Sequence, residues 1–143
     1  VYMAPRTKVS RDQIVNEAFQ LVYEKGLQFL TVRNLAQRLG CSTQPIMYNF
    51  HSVEQIREAL IEVCIMHFKT CIQADIKNEM AFNYIRYSHD YKNIFTFLCA
   101  SKVNFGLDFD QNYMYMIHGY ACMVSTSMIE FDEKACIGWI ESV

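Results

Sequence analysis

Long hydrophobic runs are missing from this chain. No stretch approaches the ~18 consecutive apolar residues of a membrane-spanning helix, so no membrane partner is expected. Turn formers are scarce too, with 2 prolines and 5 glycines in 143 residues. Regular apolar–polar alternation is equally scarce, which argues against a protein built from strands. The six cysteines (Cys41, Cys64, Cys71, Cys99, Cys122, Cys136) include no CxxC pair. The opening "VYMAPRTKVSRDQ" has no apolar core of a signal peptide, so a cytoplasmic protein with buried, reduced thiols is expected. Also absent are a glycine-rich phosphate loop, a nucleophile–base pair at telling spacing and paired carboxylates in apolar context. An enzyme is therefore not expected, nor is a cofactor. The formal net charge of −2 does not suit a protein coated for nucleic acid.

What the chain does have is apolar bulk: 52% of residues are hydrophobic and 14% aromatic, enough for a real core. Its length suits one domain, or a small module joined to a modest second one. Charge is unevenly spread. Residues 1–50 carry six Lys/Arg against three acids, and residues 51–143 carry seven against twelve, a basic front on an acidic body.

Helical periods run throughout and predict an all-α fold. Ser10 and Gln13 have the spacing of a capping box, ahead of an apolar face of Ile14, Val15, Ala18, Phe19 and Val22, with Gly26 as a left-handed stop. Thr31 caps a second helix with Val32, Leu35, Ala36 and Leu39 inward, stopped by Gly40. A short third helix follows, capped by Ser42 or Thr43. Ser52 caps a long fourth, whose inward stripe is Ile56, Leu60, Val63, Cys64, His67 and Cys71, continuing towards Ile76. Residues 81–88 and 91–103 read as two more helices, "NFGLDFD" as a loop, and 111–129 as a long, nearly all-apolar helix. "EFDEKACIGWIESV" begins a last helix with acids at its N-terminus. The joints "IKNEMAFNY" and "LDFDQNYMY" show little turn chemistry, so either the helices run through or intervening residues are absent from the sequence.

Residues 31–50 carry the chemistry. Two short helices meet at Gly40 and Cys41, with small Ala36 four residues before the glycine and apolar Ile46 six after it. A helix-turn-helix needs this arrangement: a close approach at Ala36, a positive φ at Gly40, and a plug at Ile46. Ser42, Thr43 and Gln44 then stand at the exposed start of the second element, the end that enters the DNA major groove in this motif. Hydroxyls there suit phosphates or bases, and Gln can bond adenine N6 and N7 together. Pro45 falls in the first turn, where its missing N–H costs nothing. Arg6, Lys8 and Arg11 form a basic arm suited to phosphate contact.

With these residues in view, "LTVRNLAQRLGCS" and "YNFHSVEQIREAL" within residues 11–60 resemble the DNA-binding domain of the TetR family of transcriptional regulators. The resemblance implies a domain of residues 1–51 that binds operator DNA, with a recognition helix beginning at Ser42, Thr43, Gln44 and Pro45. It implies DNA contacts from Arg6, Lys8, Arg33, Asn49 and His51, and Tyr48 lying on the DNA backbone. Met47 stands where the family has its tyrosine, and His51 and Val53 where it has lysines, so a flattened salt dependence is expected. Residues 113–134, with the pair His118 and Gly119, resemble the family's regulatory domain. That implies an effector-binding and dimerisation body over 52–143 and a homodimer formed through the last two helices. The expected effector is an apolar or aromatic small molecule held by Phe82, Tyr87, Tyr91, Phe95, Met114 and His118.

Two other readings compete. Cys64, His67 and Cys71 share one helix face, but the two thiols lie about 10 Å apart along its axis, so packing is expected rather than a metal. The alternative function is a helical protein-interaction module that uses the apolar 113–128 helix and does not bind DNA.

Overall fold

The structure, a computed structural model, describes residues 8–143, and among these every regular element is a helix. Helices α1 (Arg11–Lys25), α2 (Val32–Leu39), α3 (Gln44–Asn49) and α4 (Val53–Ile72) are followed by α5 (Lys77–Asp90), α6 (Lys92–Ala100), α7 (Gln111–Ser125) and α8 (Glu133–Ser142). The chain divides into two compact units, Val1–Val63 and Cys64–Val143. Among the described residues, no helix is long and apolar enough to cross a membrane.

In the first unit, Ser10 and Gln13 form the expected reciprocal capping box. Helix α1 buries Ile14, Val15, Ala18, Leu21 and Val22, so Leu21 takes the core position expected for half-buried Phe19. Gly26 does stop α1 at φ 97°, but its ψ of 166° is extended rather than left-handed helical. Thr31 caps α2 through the Asn34 N–H at 3.1 Å.

In the second unit, α5 packs against α6, α7 and α8, and α6 also meets α7. Helix α5 begins at Lys77, earlier than the blurred pattern suggested, and so runs through the first doubtful joint. At the second joint Asp110 supplies the missing turn chemistry, since its carboxylate accepts the Tyr113 N–H at 2.9 Å and caps α7. Asp132 caps α8 in the same way through the Ala135 N–H at 2.6 Å.

The inward stripe of α4 is Ile56, Leu60, Cys64, Phe68 and Ile72, a repeat of four. Val63, His67 and Cys71, expected in it, are only half-buried. The helix ends at Ile72 rather than running on to Ile76, which is 58% exposed. All six cysteines are free; Cys64 and Cys136 are buried, while Cys41, Cys71, Cys99 and Cys122 are half-buried rather than sealed in the core.

Candidate functional site

The turn between α2 and α3 is built as the sequence requires. Gly40 takes φ 65° and ψ 32°, and its N–H closes on the carbonyls of Ala36 and Gln37. The Cys41 N–H also returns to the Ala36 carbonyl, at 3.0 Å, which ends α2 in a tight reversal. Leu35, Ala36, Ile46 and Phe50 are buried and fix the second element against the unit's core.

Helix α3 presents the predicted edge. Ser42, Thr43 and Gln44 are exposed, and their side chains have no hydrogen-bond partner among the described residues. Thr43 occupies the capping position but makes no capping bond, because its backbone is already helical (φ −71°, ψ −17°). A capping side chain needs extended backbone to reach the following amides. The Thr43 hydroxyl is therefore not used in capping α3. Pro45 lies in the first turn, and Tyr48 is 86% exposed. Lys8, Ser42, Gln44 and Tyr48 border one surface depression, which puts Lys8 beside the polar edge. Arg33 and His51 are exposed as well. Arg6 lies outside the described residues.

Two expected contacts have other duties. Asn49 donates from its side-chain amide to the carbonyls of Pro45, at 2.7 Å, and Val9, at 3.2 Å. Only its Oδ1 is left to accept. Arg11 is drawn into the fold, donating to the Asn49 carbonyl at 3.0 Å and lying 4.1 Å over the Phe50 ring. It therefore clamps the C-terminus of α3 instead of extending the basic arm. Arg38 is committed to Glu17 and Glu24 of α1, at 2.5 and 2.8 Å.

The proposed effector residues do not gather at one place. Met114 and His118 line a cavity of about 320 Å³ with Cys99, Val103, Phe105, Leu107 and Tyr115. Phe82 lines a separate hollow with Ile137 and Ile140 of α8. Phe95 is buried in the core. Tyr87 and Tyr91 stack on each other and surround His67 instead. Aromatic composition could not separate these roles, because core filling and cavity lining use the same side chains.

Much of the cavity wall belongs to the segment 103–110, read from sequence only as a loop. It is an irregular strap in which Val103, Phe105, Leu107 and Phe109 are half-buried while Asn104, Gly106, Asp108 and Asp110 are exposed. That two-residue alternation was the available signal.

Two matching polar clusters flank α5. His118 shares a 2.7 Å hydrogen bond between Nδ1 and the Tyr84 hydroxyl, and its Nε2 lies 3.4 Å from Cys122 Sγ. His67 meets Tyr87 at 2.8 Å and Cys71 at 3.8 Å in the same pattern. Tyr84 is fully buried, and His118 is its one hydrogen-bond partner among the described residues. A buried phenol must place its proton, so Tyr84 donates to Nδ1 and the imidazole carries its own proton on Nε2. Burial lowers the pKa of both histidines and raises those of Tyr84 and Tyr87. Burial also pushes the Cys99 thiol up to about 12, so it stays protonated and inert at neutral pH. Among the described residues no group of three or more His, Cys, Asp or Glu side chains could hold a metal ion.

Comparison with known protein families and with curated proteins finds no match.

Proposed function

We propose that this protein is a sequence-specific DNA-binding transcriptional regulator of the TetR type, working in the cytoplasm as a homodimer. One observation carries the reading. Ser42, Thr43 and Gln44 stand exposed and unpartnered at the start of a helix held in place by a left-handed turn and a buried plug. Polar groups so presented, beside Lys8 and Tyr48, suit base edges and phosphates in a major groove. Dimerisation through the last two helices is supported by Met116, Met123 and Ile137, apolar side chains exposed on α7 and α8. In the proposed mechanism, an effector bound in the helical body shifts the population of α4 orientations. The two reading helices then no longer match the half-site spacing, and a repressor is released.

Selection of bound fragments from genomic DNA, followed by gel retardation, tests this. Thr43→Ala with Gln44→Ala should weaken operator binding at least tenfold, since each good base contact is worth about 1–3 kcal/mol. Unchanged retardation would place the reading edge elsewhere. A stable dimer with no salt-sensitive, sequence-selective retardation would favour the protein-interaction module, for which the exposed apolar residues of α7 also speak.

A further inference from the structure

The cavity between the end of α6, the strap and α7 has a composition that selects its ligand. None of its lining residues carries a formal charge at neutral pH, because His118 is held neutral and the rest are apolar, amide, thiol or phenol. Lys102, just before the strap, and Asp108, on it, are exposed and do not line it. A bound ion would lose its hydration here with no partner charge to replace it, which costs far more than a neutral guest loses.

The walls favour a flat, polarisable molecule. Phe105 presents its ring from the strap, where it also contacts Phe68 and Tyr84, with ring centres 4.7 and 5.8 Å away. Val103, Leu107 and Met114 complete an apolar lining, and a volume of about 320 Å³ admits a small ring system. Of the polar groups that line it, the Tyr115 phenol is exposed, while Asn104 Oδ1 is already taken by the Gly106 N–H at 2.9 Å. The Tyr115 hydroxyl accepts a hydrogen bond from the Gln111 side chain, so its own proton remains available. Tyr115 lines the cavity and is 63% exposed, so it is open to an entering ligand.

We infer that this cavity binds uncharged, planar aromatic molecules bearing one hydrogen-bond acceptor, the acceptor taken by Tyr115 and the ring held between Phe105 and Met114. Naming such a molecule the effector rests on the regulator reading; the binding itself does not.

Calorimetric titration of the full chain, without DNA, tests the inference with three ligands of one shape: neutral acetonaphthone, anionic naphthoate and cationic naphthylmethylammonium. Acetonaphthone should bind at least tenfold more tightly than either ion. Met114→Trp, which fills the cavity, should abolish its binding, and Tyr115→Phe should weaken it roughly three- to tenfold, the loss of one hydrogen bond. Leu107→Trp fills the same space from the strap and replaces Met114→Trp if that variant does not fold. Equal affinity for an ion, binding by none of the three, or undiminished binding to a filled variant overturns the assignment. Because DNA takes no part, such a failure is separate from a failure of operator retardation.

Discussion

Arg38 sits on α2 in the gap between Glu17 and Glu24, and its guanidinium bonds both carboxylates. The bond from Arg38 holds Glu24 below the usual carboxylate range. Its folded form therefore binds protons less readily than its unfolded form. The stabilisation is complete above the ordinary carboxylate range and is lost as pH falls through the lowered value. Arg38→Met should leave a shallower acid limb in a plot of unfolding free energy against pH, measured by urea titration. The histidine clusters act in the same direction at higher pH. His118 faces neutral Tyr84 and Cys122, and burial depresses its pKa. Its contribution is intact above the ordinary histidine value of about 6.5 and falls away below it. His118→Gln should reduce the stability lost by the wild type between about pH 7.5 and about pH 5.5.

At the scale of elements, the α2–α3 turn depends on one backbone conformation. A methyl group at Gly40 would meet no neighbour, so Gly40→Ala isolates the strain of a left-handed backbone. It should cost about 1–2 kcal/mol in urea unfolding, and Gly40→Asn less. This turn was legible in the sequence because glycine, Ala36 and Ile46 answer to local geometry. So were the all-helical fold and the capping of α1 and α2. Less local features were hidden. That Arg11 and Asn49 serve the fold depends on partners 38 and 40 residues away, and no sequence pattern marks such pairs. Phe68 escaped notice because the stripe of α4 advances by fours and so drifts around the helix. The division of aromatics between core and cavity depends on how α5 meets its neighbours, which periodicity does not encode.

For the whole molecule, the charge split between the basic front and the acidic body bears on the DNA binding proposed above. With Arg11 and Arg38 committed internally, few cations are left for phosphates. The slope of log affinity against log salt should be shallow, and Lys8→Ala should reduce it by about 1 per protomer. Binding measured over a salt series checks both values. The clamp on α3 has a further consequence, for portability. Helices shorter than about 12–15 residues are marginal alone in water, and α3 has 6. It persists because Ile46 is buried, Arg11 holds its C-terminal carbonyl, and Asn49 ties it to Val9. A peptide of residues 31–50 would lack two of these three supports and should not read DNA. Grafting "STQPIMYN" onto another scaffold would transfer the letters without the posture, so under the proposed function the smallest exchangeable part is α1, α2 and α3 together.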